Sequence, residues 1–197
     1  MKNQSEKFYD RFTFLYPLVD IFLKPQKKKF FDRINALPYG RLLEIGVGNG
    51  AHFRYYLTHD ITGIDTSRRM LAQANKHRVE NIQLLYMSGE SLLFPNGNFD
   101  YVIMSHVIAV VDNPEALMAE VHRVLKPGGR VFILNHFTPD NWLKYIDRLA
   151  ALFSKLLHFK PVFHTAGLNR SGRFRLLSEF NAGLFSYFKI LIYEKSL

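Results

Sequence analysis

Between Arg41 and Leu134 the apolar residues form short runs separated by stretches with helical spacing. Five runs predict strands: RLLEI from Arg41, DITGID ending on Asp65, NIQLLY from Asn81, FDYVIMS from Phe99 and RVFIL from Arg130. FDYVIMS is apolar at nearly every position, as a parallel strand covered on both faces requires. Between these runs, GNGAHFRYYL predicts a helix opening at the glycines. SRRMLAQANKH predicts a helix with its N-cap at Thr66 or Ser67. EALMAEVHRVL predicts a third, started by Asn113 and Pro114 and stopped by KPGG. Strands alternating with helices make an α/β domain wound around a parallel sheet.

Two segments depart from the alternation. In the head, residues 1–40, Phe12, Leu15, Tyr16, Val19, Phe22 and Leu23 follow helical spacing. Pro17 within that pattern demands a kink or two shorter helices, and Lys24, Lys27, Lys28 and Lys29 follow directly. After the fifth strand, a helical insertion at about 139–160 gathers Trp142, Leu143, Ile146, Leu149, Phe153, Leu156 and Leu157 into one stripe. Lys144, Arg148 and Lys155 flank or oppose it. The tail, RFRLLSEF and LFSYFKILIYEK around Asn181-Ala182-Gly183, predicts two antiparallel strands joined by a turn. With neither repeats nor a low-complexity linker, 197 residues make one domain: a helical head (1–40) and a core (41–197).

Charge changes this picture most. The formal net charge of +9 favours an anionic partner, whether nucleic acid, a membrane surface or an acidic ligand. With no cysteine there is no disulfide, thiolate metal site or cysteine nucleophile, which removes the RNA cytosine-C5 methylases. MKNQSEKFYDRF has no uninterrupted apolar core of a secretory signal, and no stretch approaches the roughly 18 apolar residues of a membrane span. A cytoplasmic protein is expected, touching a membrane only peripherally.

The chemistry centres on LLEIGVGNGAHF, residues 42–53, a strand, tight turn and helix start of the kind that holds nucleotide-like cofactors. Two patterns fit it. Gly46, Gly48 and Ala51 satisfy the dinucleotide fingerprint G-x-G-x-x-A, while Glu44, Gly46, Gly48 and Gly50 satisfy E-x-G-x-G-x-G. Asp65, about twenty residues on, suits ribose hydroxyls in either case. Glu44 tilts the balance. In a low-dielectric crevice its carboxylate repels a pyrophosphate and favours a cationic ligand. Alternatively, it satisfies amides of the loop.

E-x-G-x-G-x-G, with FPNGNFDYVIMS and VDNPEALMAEVHRVLKPGGRVFIL, resembles the class I S-adenosylmethionine (SAM) methyltransferases over roughly Arg41 to Leu134. The resemblance implies a seven-stranded Rossmann-like sheet of order 3-2-1-4-5-7-6, SAM as cofactor with S-adenosylhomocysteine as product, and no metal. It implies that Gly46, Gly48 and Gly50 line the methionine half of SAM, that Asp65 holds the ribose, and that Thr66 and Met70 lie near the adenine. Many members carry an acidic adenine contact after strand three. This chain has Ser88 there, followed by Gly89 and Glu90, so Ser88 or backbone amides are expected to serve instead.

SHVIAVVDNP, ILNHF and NAGLFSYF, together with the aromatic, basic head EKFYDRFTFLYPLVDIFLKP, resemble more narrowly the small bacterial phosphatidylethanolamine N-methyltransferases. That resemblance implies methylation of phosphatidylethanolamine and its mono- and dimethyl derivatives toward phosphatidylcholine. The implied partners are the phospholipid and an anionic membrane surface, at the inner face of the cell membrane. A monomer is favoured. The head suits interfacial binding, with aromatics on one side and lysines each worth about 1 kcal/mol near an anionic surface. Tyr9, His106 and His136 are the catalytic candidates, through ring contact with the cationic amine, proton acceptance or phosphate contact. Arg170, Arg173 and Arg175 are the candidate phosphate partners. A quinone or other small-molecule methylase is the alternative. A nucleic-acid methylase is less favoured, because SHVI stands where amino methylases of bases carry N/D-P-P-Y/F.

Overall fold

The computed structural model describes residues 28, 30–108, 110–136, 172–181 and 188–196, with only the backbone of His136 and Phe188. The kink at Pro17, Tyr9, the stripe from Trp142 to Leu157 and Arg170 lie outside the described residues.

Seven strands form one sheet: β1 (Arg41–Ile45), β2 (Asp60–Asp65), β3 (Ile82–Tyr86), β4 (Phe99–Ser105), β5 (Leu125–His136), β6 (Phe174–Asn181) and β7 (Phe188–Lys195). Their order is β3-β2-β1-β4-β5-β7-β6, as the resemblance to class I methyltransferases implies. The first five are parallel, and β7 runs antiparallel between β5 and β6. Alternation along the central strands sorts the core into two layers. Leu43, Ile45, Val102, Met104, Val131 and Ile133 face the helix α3 (Pro114–Val124), which buries Leu117, Met118, Val121 and Val124 against them. Leu42, Ile61, Ile103, Phe132, Leu134 and Ile190 face the other side, where Phe30, Phe31 and Ile34 of helix α1, described at 28 and 30–35, join the core.

Two of the described helices start on side-chain caps. Ser67 Oγ accepts from Met70 N–H at the head of α2 (Arg68–Ala74), and Asn113 Oδ1 accepts from Ala116 N–H at the head of α3. β5 begins earlier than expected, at Leu125, so KPGG lies within the strand. Gly128 takes φ 71°, and the register to β4 shifts between Phe99 and Tyr101.

The helix expected after the glycine loop is instead one 3-10 turn, Phe53–Tyr55. Tertiary contact overrides the local pattern here. Leu57 N–H, which a helix would pair with the Phe53 carbonyl, donates to Asn35 Oδ1 (3.1 Å), and Asn35 Nδ2 donates to Tyr55 O (2.8 Å). Asn35 belongs to α1, so the head helix unwinds the segment and pins itself to it. His59 Nε2 adds a bond to the Ile34 carbonyl (2.9 Å), and the Arg33 guanidinium lies 3.6 Å above the Phe180 ring of β6.

No helix joins β3 to β4. Residues 87–98 are held by Arg123 of α3, which donates to the Leu92 carbonyl (2.8 Å), the Phe94 carbonyl (2.7 Å) and Asn96 Oδ1 (3.0 Å). Two further bonds run from Arg123 to Glu120, whose Oε2 also accepts from Leu92 N–H. Replacing Arg123 by Ala strands several of these acceptors and is expected to destabilise the fold by about 2 kcal/mol in urea unfolding.

Candidate functional site

The sheet reverses direction of growth at β1, which has β2 on one side and β4 on the other. A crevice opens there beyond the carboxyl ends of the strands, the place where open α/β sheets bind ligands. The chain leaves β1 through three glycines with φ of 75°, 56° and 70° at Gly46, Gly48 and Gly50. Side chains resist this left-handed region, and space excludes them as well. A Cβ on Gly46 would collide with Val107, and one on Gly50 would stand 2.7 Å from Phe53 Cε2 and 2.8 Å from Ala74 Cα. Gly46 and Val47 N–H both reach the Ile64 carbonyl, and Gly48 N–H donates to Asp65 Oδ2 (2.8 Å). The loop is thus closed onto β2.

Asp65 ends β2 with Oδ1 accepting from Ser67 N–H (2.8 Å). Burial raises its pKa above the usual carboxylate range. Amides of Ser67, Gly48 and Thr66 pull it back, and the charge of Glu44 pushes it further up. A carboxylate offers about four acceptor positions, so lone pairs remain for further donors. Thr66 is half-buried beside it, and Met70 is buried in the first turn of α2.

Glu44 has no solvent exposure. The loop amides are engaged elsewhere, and its partners are side chains. Tyr56 Oη donates to Oε2 (2.9 Å), and His52 Nε2 stands 2.7 Å from Oε1. The His52 N–H points off the line to that oxygen, so this second contact is close pairing rather than an aligned hydrogen bond. Burial first, then the Glu44 charge, drive the Tyr56 hydroxyl well above its ordinary pKa, so it stays a donor. Sequence reasoning missed His52 and Tyr56. The available signal was Glu44 itself, because a carboxylate inside an apolar strand requires partners.

After β3, Ser88 Oγ accepts from Glu90 N–H (3.2 Å), while Glu90 Oε1 accepts from Asn113 N–H (2.8 Å). Glu90 is therefore tied to the cap of α3. Gly89 sits where a Cβ would press on Ile45 and Leu117 at 2.7 and 2.8 Å. Tyr86, half-exposed and opposite Asp65 in the sheet, carries the Arg68 guanidinium 4.1 Å above its ring. Sequence reasoning missed that pair too.

His106 and His136 end adjacent parallel strands at the crevice. His106 holds φ 60° and donates its N–H to the Leu134 carbonyl (2.7 Å), two residues before His136. Its neighbour Val107 touches Gly46, so the end of β4 abuts the glycine loop.

The structure does not bring Arg173 and Arg175 to this crevice. Arg175 pairs with Glu194, which pairs with Arg130 at the amino end of the parallel region, and Arg173 precedes β6 at that same end. Six residues of strand, about 20 Å, separate Arg130 from His136. The antiparallel tail runs Arg173 and Arg175 to the base of the sheet.

The model of a family described as a methyltransferase domain matches residues 43–133. The chain is 33% identical over 162 residues to phosphatidylethanolamine N-methyltransferase of Cereibacter sphaeroides, covering 76% of this chain and 79% of that one. The protein belongs to the class I SAM-dependent methyltransferases. It is also 30% identical over 173 residues to a ubiquinone/menaquinone biosynthesis C-methyltransferase of Geotalea daltonii, across 76% and 73% of the two chains. A SAM-dependent methyltransferase of Thermotoga maritima, described as a possible histamine N-methyltransferase, superposes with a TM-score of 0.74 at 23% identity, over 96% of this chain and 99% of that one.

The methyltransferase uses SAM, which supplies an electrophilic methyl group on a sulfonium. The crevice suits it. Two carboxylates, Glu44 and Asp65, flank a glycine-rich loop, an arrangement favourable to a cation and hostile to pyrophosphate. The sign of the Asp65 shift sets a pH dependence. Its raised pKa favours the ligand-free fold below the unfolded-state value, and that contribution is lost as pH rises through the folded value. Ribose hydroxyls donate more strongly to the ionised form, which accepts on both oxygens. The rise in melting temperature given by SAM should therefore decline as pH falls through a value above the ordinary aspartate range. In Asp65→Asn it should be small and flat, as differential scanning fluorimetry across pH 4–7 would show.

Proposed function

We propose that the protein methylates the amine of phosphatidylethanolamine, and then its mono- and dimethyl derivatives, at an anionic membrane surface. The observation carrying this reading is the 33% identity to a phosphatidylethanolamine N-methyltransferase over most of both chains. Its 162 residues exceed the 43–133 segment shared with methyltransferase domains in general, and its identity exceeds the 30% shared with the quinone methylase. The net charge of +9 and the lysines at 24–29 agree with it. So does the docking of α1, which fixes the segment behind those lysines against the glycine loop. Among the described residues no helix is long and apolar enough to cross a membrane, so the contact proposed is interfacial.

In this reading Gly46, Gly48 and Gly50 admit the cofactor backbone-close, Glu44 faces its cationic end and Asp65 takes its ribose. Thr66, Met70 and Ser88 border the adenine. The acceptor amine attacks in line. A nitrogen–carbon bond forms as the carbon–sulfur bond breaks; after each of the first two transfers the product sheds one proton, and the third gives a quaternary ammonium with none to lose. The amine must be neutral to attack, so a group at the crevice mouth must hold or relay the proton. In this reading His106 or His136, at the ends of β4 and β5, takes that proton, and Tyr9 closes the site from the head. Positioning supplies much of the remaining rate.

Quinone methylation is the second reading, favoured by the 30% identity to the Geotalea daltonii protein. Labelled SAM offered with vesicles containing phosphatidylethanolamine, phosphatidylglycerol and a demethylated quinone separates the two. Label in mono- and dimethylated phosphatidylethanolamine is expected, and label only in the quinone overturns the proposal. The head is tested by removing residues 1–27. The cut stops short of Phe30, Phe31 and Ile34 because these are core residues. The shortened protein should melt cooperatively yet fail to sediment with anionic vesicles, and unchanged sedimentation would show that the head is not the membrane contact.

A further inference from the structure

We infer that His52 and Tyr56 are positioning residues that fix the Glu44 carboxylate at the base of the glycine loop for SAM, and that Phe31 of the head helix locks His52 in place. This rests on the assignment of Glu44 to the cofactor, but not on the identity of the methyl acceptor.

Glu44 lies two residues before Gly46 and is shut from water. A buried carboxylate holds its place only through its partners. Each oxygen has one among the described residues: the Tyr56 hydroxyl at 2.9 Å on Oε2 and His52 Nε2 at 2.7 Å from Oε1. Both partners sit in the segment just after the loop, so the loop carries the groups that hold its own carboxylate.

The two rings are in turn held by aromatics. Phe31, itself buried, stacks on His52 with centroids 5.3 Å apart and planes 19° from parallel, and meets Tyr56 edge-on at 4.8 Å. Phe53 closes on His52 edge-on at 5.0 Å. Such contacts fix ring orientation beyond simple burial. A continuous chain of contact therefore runs from α1 through Phe31 and His52 to the Glu44 carboxylate, whose charge Asp65 senses across the crevice. Docking of the head helix and affinity for the cofactor are coupled along it.

A double-mutant cycle on the full-length protein tests this, with SAM and S-adenosylhomocysteine binding read by calorimetry and no acceptor present. Tyr56→Phe and His52→Phe retain ring packing and remove only the polar atom, and His52→Gln replaces the latter if the phenyl ring is not tolerated. Each is expected to weaken SAM about tenfold. Glu44→Gln should weaken it as well, and in the Glu44→Gln background the other two changes should add nothing. Phe31→Ala should match the loss seen in His52→Phe, and Phe31→Tyr should restore binding. If Glu44→Gln weakens SAM while the partner variants leave it unchanged, or if the losses are additive, His52 and Tyr56 do not act through Glu44. If Glu44→Gln binds SAM normally, the assignment of Glu44 fails and the inference with it. Neither result bears on whether a phospholipid accepts the methyl group.

Discussion

A carboxylate with no access to water, placed one residue before the end of the central strand, constrains the structure around it. An ionised group in that position is tolerable only if side chains replace its hydration. Glu44 recruits them from the segment that follows the glycine loop, and that segment in turn recruits α1. The first turn after the loop, the head helix and the cofactor crevice thus form one unit. The same charge acts on Asp65, whose pKa would sit lower without it. A cationic ligand relieves both carboxylates at once, which is why this loop fits a sulfonium better than a pyrophosphate.

Register sends several of the charged residues to opposite ends of the sheet. At the carboxyl end of the parallel strands lie the glycine loop, Asp65, His106 and His136. At the amino end, Lys126 reaches Asp100 (2.7 Å), Arg175 reaches Glu194 (2.6 Å) and the Lys195 ammonium bonds the Leu125 carbonyl (2.8 Å). Part of the basic excess therefore serves the fold. These exposed pairs contribute little individually, but Lys126 and Lys195 hold the start of β5 against its neighbours. The net charge alone did not show which cations were committed in this way.

What the sequence made legible follows from where the determining forces are local. FDYVIMS was readable to the residue as β4, because a strand buried on both faces is apolar throughout. The Asn113-Pro114 start of α3 was readable because capping is a contact three residues long. The glycine loop was readable because backbone conformation dictates residue type there. GNGAHFRYYL misled because its backbone donors and acceptors are claimed by Asn35, some twenty residues away. Arg173 and Arg175 were placed near the substrate because a hairpin pattern gives two strands without saying which end faces the crevice. The partners of Glu44 were hidden for the same reason as Asn35: a tertiary contact leaves no period in the sequence.

His106 shows how a local cost marks a site. A non-glycine residue at φ 60° sacrifices on the order of 1–3 kcal/mol. The 2.7 Å bond from its N–H to the Leu134 carbonyl offsets part of that and extends the pairing of β4 with β5 past the end of the ladder. The turn also carries Val107 into the space that Gly46 leaves open. Glycine would adopt this conformation without strain, yet the chain places an imidazole there, at the end of the strand next to β5 and against the loop that admits the cofactor. Strain of this kind persists where the surrounding structure over-determines it. Here the over-determination comes from two sides, β5 through a hydrogen bond and the glycine loop through packing. His106 is thereby fixed relative to the glycine loop and to the end of β5 together.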